Sequence, residues 1–266
     1  MSVNINILDQ IIASKITEVE RAKKVHPIDE LEKSPLFSRC CFSLRTSLTN
    51  SKTGIISEFK RKSPSLGWIR KDANVVEIAS GYNAAGASGI SILTDEPFFG
   101  GLPEDLITAR ELVSIPILRK DFIIDSYQLF EAKAIGSDVV LLIAAALTID
   151  KTKILAREAK KLGLEVLLEI HNEMELVYAN EYVDLIGVNK RNLKTFEQNI
   201  NTSFNLAKLI PEEFAKISES GISNTETVKA LRDVGYSGFL MGENFMKQPK
   251  PAETLQKFIN DLMHLK

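Results

Sequence analysis

Charged side chains in this chain recur at the ends of apolar runs, and the first case is IISEFKRKSPSLG, residues 55–67. Glu58 and Lys60 lie two residues apart, so on a strand both point to one face and Phe59 to the other. A strand covered on both sides tolerates such a pair only where a polar site is being built. The same signature returns at Lys120-Asp121, at Glu169 before Ile170, at Asn189-Lys190-Arg191 and at Glu219-Ser220-Gly221. Carboxylates buried this way cost several kcal/mol unless paired. Lysines in the same cavity supply the pairing, and the two types together can donate and remove protons at a carbonyl or a leaving hydroxyl. A lone charge of this kind reads equally well as the first solvated residue past a strand. Glu58 and Glu169, each followed by an apolar residue, do not.

The elements that must position these groups follow from the hydrophobic pattern. Apolar runs at GIISEFK, SGISILT, IPILRKD, DVVLLIA, LEVLLEI, DLIGVNK, AKISESG and YSGFLMG read as eight strands. Amphipathic segments lie between them, including VVEIASGYNAAG, SYQLFEAKAIG, KTKILAREAKKLG and NTETVKALRDVG, which stop at Gly86, Gly136, Gly163 and Gly235. Regular alternation implies right-handed crossovers and a parallel sheet. Eight units repeating every 20 to 35 residues or so match an α/β (β/α)8 barrel, in which every strand C-terminus opens on one mouth. A doubly wound open sheet competes, but EFKRKSPS after the first strand is not a glycine fingerprint. The expected organisation is a single barrel domain over 1–266, of which 1–50 is an N-terminal helical extension.

Two further features belong to that mouth. SESGIS and LMGEN follow the seventh and eighth strands, where barrels of this kind hold phosphate, and Gly221 and Gly242 would let backbone N–H groups approach an anion. Ser63 offers a hydroxyl from the first loop. DEPFFGG and KDF bring Phe98, Phe99 and Phe122, which read either as an aromatic wall or as ordinary packing under a loop. Together these features suit an aryl-substituted sugar phosphate.

Composition narrows the class. The formal net charge is −2, which gives no reason to expect nucleic acid as a partner. The two cysteines, Cys40 and Cys41, are adjacent and read as buried small hydrophobes suited to a reducing cytoplasm. Leu8, Ile12, Ile16 and Val19 recur at helical spacing near the N-terminus, where Asp9 and Glu18 argue against a signal peptide or membrane span. A second helix is expected after Pro35 with Phe37, Cys41, Leu44 and Leu48 on one side. The three histidines, His26, His171 and His264, form no ligand cluster, so no metal is expected. His171, near Glu169, reads as a supporting or surface residue.

IISEFKRKSPSLG, SILTDEPFFGG, PILRKDFIID, LLEIHNEMEL, IGVNKRNL, ISESGIS and GFLMGENFM, in this order, resemble the indole-3-glycerol-phosphate synthase family along essentially the whole chain. ILDQIIASKITEV resembles that family's extra helix. The resemblance implies decarboxylating ring closure and dehydration of 1-(2-carboxyphenylamino)-1-deoxyribulose 5-phosphate in tryptophan biosynthesis, without cofactor. It implies Lys120 as the acid at the carbonyl and Glu169 as the acid/base of dehydration. Lys60 becomes carboxylate binder or second acid, Glu58 tunes the lysines, and Glu219 sits near the reacting carbons or sugar hydroxyls. Asn189 and Arg191 would position substrate. Ser63, Ser220, Gly221, Gly242 and Glu243, the last through its backbone N–H, would hold phosphate. Pro64, Phe99, Phe122 and Leu142 would line the aromatic pocket. Asn172 stands where the family commonly has an acid. A monomer acting on a small molecule in the cytoplasm is expected, with no nucleic acid or membrane. The rivals are phosphoribosylanthranilate isomerase, whose Cys/Asp pair has no counterpart at a strand end here, and a non-catalytic phospholigand barrel, which would not require Lys60, Lys120, Glu169 and Glu219 together.

Overall fold

The computed structural model describes residues 6–191 and 199–264. The last two residues of IGVNKRNL, Asn192 and Leu193, therefore lie outside the described residues. Eight parallel strands close into a barrel in chain order: β1 (Ile55–Phe59), β2 (Gly89–Leu93), β3 (Ile117–Lys120), β4 (Val139–Ile143), β5 (Glu165–Ile170), β6 (Leu185–Asn189), β7 (Ala215–Glu219) and β8 (Gly238–Met241), which pairs back onto β1. The eight expected strands each fall on one of these. Seven are followed by a helix, and a 3-10 turn at Glu173–Tyr178 takes that place after β5. All four glycines read as helix stops have positive φ, the conformation a left-handed C-terminus requires.

Alternation divides the barrel residues into two sets. Ile55, Phe59, Ile90, Ile92, Val140, Leu142, Leu168 and Val188 face the surrounding helices. Ile56, Leu118, Leu141, Ile143, Leu167, Leu185, Ile217 and Leu240 fill the barrel interior. Continuing the inner rows toward the strand ends leads to Glu58, Lys120, Glu169, Asn189 and Glu219.

The N-terminal extension touches both ends of the barrel. Helix α1 (Ile7–Val25) lies at the mouth, and its Ile11 joins the interior cluster beside the partly buried Ile7 and Leu8. Its buried face runs through Ile11, Lys15 and Val19, whereas Ile16 is 52% exposed. The expected Leu8–Ile12–Ile16–Val19 stripe is therefore rotated by about one position. Lys15, whose ammonium meets carboxylates of the barrel, takes the buried place.

The second expected helix is shorter than its pattern suggested. Helix α2 covers only Leu44–Asn50, because Ser43 caps it and the Glu165 carboxylate accepts from the backbone N–H groups of Leu44 and Arg45 at 2.8 and 3.0 Å. Phe37 lies in the preceding turns and stacks on Phe130 with ring centroids 6.3 Å apart. Leu44 and Leu48 plug the barrel floor beneath Gly89 and Gly238, where a Cβ would collide with their methyl groups. Cys40 is exposed and Cys41 half-buried, with its Sγ 3.1 Å from the Lys133 ammonium. The expected burial of the pair is thus corrected, since the chain around it is surface turn.

Among the described residues no helix is long and apolar enough to cross a membrane.

Candidate active site

One cavity opens at the C-terminal strand ends, and its wall gathers most of the residues singled out from sequence. Glu58, Lys60, Pro64, Phe99, Lys120, Phe122, Glu169, Asn189, Arg191, Glu219, Ser220, Gly221, Gly242 and Glu243 all line it. Lys120 stands at the centre. Extending inward from the end of β3, its Nζ donates to Glu169 Oε2 at 2.6 Å and Glu219 Oε2 at 2.8 Å. Burial alone would push its pKa down, but the charges of Glu169, Glu219 and Glu58 outweigh it and hold it well above the ordinary lysine value. Lys120 is thus a charged ammonium at neutral pH, placed where it can donate. Lys60 makes a second pair with Glu58 at 2.5 Å.

The two carboxylates beside Lys120 are not equivalent. Burial pushes the Glu219 carboxyl up; Lys120 opposes this, and the neighbouring Glu169 charge adds to it. For Glu169 burial is outweighed by Lys120, by His171 and by the Asn189 amide that hydrogen-bonds it, so its pKa lies below the usual range. One acid that holds its proton sits beside one that gives it up, the arrangement that lets a site both donate and accept.

Tight backbone approaches build this geometry. A Cβ at Gly187 on β6 would lie 2.3 Å from Glu219 Oε1, so only glycine leaves that carboxylate its seat. Nothing in the local pattern of DLIGVNK marks Gly187, and sequence reading missed it. After β7 the chain turns through Ser220 and Gly221, both left-handed, with φ of 66° and 63°. The Ser220 hydroxyl donates to Asn189 Oδ1 at 2.8 Å, and Arg191 N–H donates to the same oxygen at 3.0 Å. Arg191 then spans the mouth, donating to Ser65 Oγ at 3.1 Å and approaching Glu243 Oε2 at 3.5 Å.

Opposite this polar side lies an apolar one. Phe99 and Phe122 meet at a tilt of 35° with centroids 6.0 Å apart. Ile7, Leu8 and Ile11 of α1 add to the wall, as do Leu141 and Ile143 of β4. The helical spacing showed that α1 had an apolar side, but not that this side covers the mouth.

Two expected residues fall elsewhere. Leu142 faces the outer helices, because the interior row of β4 is Leu141 and Ile143. Ser63 is buried in a two-residue hairpin strand, where its Oγ accepts from Leu66 N–H at 3.3 Å and faces Ser65 Oγ at 3.5 Å; it does not line the cavity. Its hydroxyl is spent on the turn. His171 takes the supporting place expected of it, with Nε2 3.4 Å from Glu169 Oε1.

The family model for indole-3-glycerol phosphate synthase matches residues 8–258. The chain belongs to the indole-3-glycerol phosphate synthase family. An indole-3-glycerol phosphate synthase of Bacteroides thetaiotaomicron is 53% identical over 254 residues, covering 96% of this chain and 98% of that protein. One from Aliarcobacter butzleri is 42% identical over 261 residues, with coverage of 96% and 99%. Solved structures share the barrel at much lower identity. The 3-hexulose-6-phosphate synthase of Salmonella typhimurium superposes with a TM-score of 0.63 at 15% identity, covering 79% of this chain and 98% of that one. A tryptophan synthase chain from Pyrococcus furiosus gives 0.60 at 17%, with coverage of 80% and 98%. Family membership therefore rests on the sequence relatives, and these neighbours establish the fold.

Proposed function

We infer that this cavity carries out the indole-3-glycerol phosphate synthase reaction of tryptophan biosynthesis, converting 1-(2-carboxyphenylamino)-1-deoxyribulose 5-phosphate to indole-3-glycerol phosphate, carbon dioxide and water. The observation that carries this reading is the Lys120 ammonium, held between two carboxylates and directed at a cavity with an aromatic wall on one side and glycine turns on the other.

The anthranilate ring lies against Phe99, Phe122 and Pro64. The phosphate is held at Ser220, Gly221, Gly242 and the backbone N–H of Glu243, with Arg191 beside it. In this pose the C2 carbonyl oxygen meets Lys120. Donation of a proton from Lys120 makes C2 electrophilic as the ring carbon bearing the carboxylate attacks it. Carbon dioxide then leaves, and its bonding electrons restore the aromatic ring. Lys60 pairs with the substrate carboxylate; for dehydration Lys120, beside the same oxygen, donates a second proton to the departing hydroxyl, and Glu169 removes a proton from C1. Glu58 holds Lys60 in place, Asn189 orients Glu169, and Glu219 faces the sugar hydroxyls.

The same reading takes 1–266 as one domain with 1–50 as its helical extension, acting as a monomer in the cytoplasm. The test is direct: purified protein mixed with the aryl-ribulose phosphate should develop indole absorbance and fluorescence. Folded protein that gives no such signal would sink the reading.

A further inference from the structure

The proposed reaction, on which this inference rests, leaves a proton deficit. With the substrate carboxylate ionised, one proton goes to the carbonyl oxygen and a second to the leaving hydroxyl. One proton returns from C1. Each turnover therefore consumes one proton from solvent. Yet Lys120, Glu169 and Glu219 have side chains only 13%, 3% and 2% exposed, and a bound substrate covers what remains.

A line of titratable groups leads from Lys120 out of the cavity by another side. Glu169 accepts from Lys120 through Oε2, while its Oε1 lies 3.4 Å from His171 Nε2. On the other edge of the imidazole, Nδ1 lies 3.3 Å from Glu175 Oε2. Glu175 belongs to the 3-10 turn at Glu173–Tyr178 and has a side chain 16% exposed. It is fixed there by the His171 backbone N–H at 2.8 Å and the Asn172 amide at 2.9 Å. A full helix after β5 is replaced by this short turn, which is what places Glu175 against His171.

We propose that His171, with Glu175 outside it, is the route by which solvent protons reach Glu169 and Lys120 while substrate fills the cavity. Imidazole suits the task because its two nitrogens can take a proton on one side and release one on the other. The charged groups facing it are Glu169 from its own strand, Glu175 from the turn and Glu219 from β7, with Lys120 beyond Glu169. Burial alone would lower its pKa, but the hydrogen bond to Glu175 and the charges of Glu169, Glu175 and Glu219 outweigh burial and raise it. At 3.4 Å from Glu169, Nε2 is at ion-pair distance and makes no hydrogen bond among the described residues, and contacts of this kind commonly tighten when substrate binds. His171 touches Glu169 and not the substrate, so it acts as a positioning and relay residue.

The test compares steady-state turnover of the parent chain with His171→Gln, His171→Ala and Glu175→Gln, each checked by thermal unfolding. His171→Gln should lower kcat about tenfold with KM within about twofold, and Glu175→Gln should lower it less in the same direction. Added imidazole should restore part of the kcat of His171→Ala, and the solvent deuterium effect on kcat should grow in His171→Gln. These last two readouts do not follow from lost packing. Variants that turn over at the parent rate, or a loss of kcat that imidazole leaves untouched, overturn the relay while the proposed function stands. A parent chain that forms no indole product overturns the proposed function, and the relay with it.

Discussion

Two lysines in this molecule are each clasped by carboxylates, and only one of them faces a cavity. Lys120 lies between Glu169 and Glu219 at the barrel mouth. Lys15 of α1 is fully buried between Asp95 and Asp121, at 3.1 and 2.9 Å, with Glu18 at 2.9 Å. Burial opposes the charge of both ammonium groups, and in both the carboxylates outweigh it and raise the pKa. The difference lies in the acids. Burial alone would raise the Asp121 pKa, but Lys15, Arg119 and the Thr94 hydroxyl force it far below the usual carboxylate range. Glu219 is left with Lys120 alone against burial and a second carboxylate. Its Oε1 finds no hydrogen-bond partner among the described residues. A clasped lysine is therefore not by itself a mark of chemistry. What distinguishes the reactive cluster is an acid the fold has left under-compensated, in a place a substrate can reach.

Exchanging the two lysines for neutral residues should separate these roles. Lys120→Ala is expected to cut kcat by at least about a thousandfold while substrate binding stays within about tenfold. Equal losses of kcat and affinity in single-turnover and binding measurements would make Lys120 a positioning group instead. Lys15→Met should leave Asp95 buried without its counter-charge and Asp121 with Arg119 alone, and cost about 3–5 kcal/mol of stability. Chemical denaturation measures that cost, and a kcat per folded molecule within about threefold of the parent is expected. A thousandfold loss of kcat without loss of stability would erase the distinction between the clusters.

Glu219→Gln tests the under-compensated acid. A carboxyl raised to about 7 in the native state and lying at 4.5 when unfolded takes up its proton more readily when folded. Its ionised form therefore costs stability above about pH 7, and the cost fades as pH falls toward 4.5. Removing the charge should raise Tm by about 3 °C at pH 8, corresponding to about 1 kcal/mol, with little change near pH 4. A fall in Tm at pH 8 would show that Lys120 fully compensates it. Glu18→Gln, at the half-exposed rim of the other cluster, should change stability by less than about 1 kcal/mol.

Sequence reading found the barrel because eight strands with two-faced burial leave continuous apolar runs, and their polar ends stand out against them. It placed the inward rows correctly wherever a charge marked the parity, as Glu58 and Glu169 did. β4 carries no charge, and there Leu142 was assigned to the wrong side. On α1 the helical spacing picks out Ile16, which is exposed, and nothing local marks Lys15 as buried. Only the carboxylates of Asp95 and Asp121, some 80 to 106 residues downstream, explain why Lys15 is the buried one. Gly187 was equally silent, since what it accommodates comes from the next strand. The misses at Lys15 and Gly187 concern partners distant in the chain, which local pattern does not encode.

The floor plug has a consequence for the order of assembly. Leu44 and Leu48 leave the ribosome before any strand, yet the glycine beneath Leu48, Gly238, belongs to the last strand. Leu44 can settle once Gly89 of β2 is made, but the seat of Leu48 is missing until β8. Until then the barrel floor is open on one side and the Leu48 face of α2 stays uncovered, the kind of apolar surface through which unfinished barrels associate. Closure of the barrel and retirement of that exposed surface are one event.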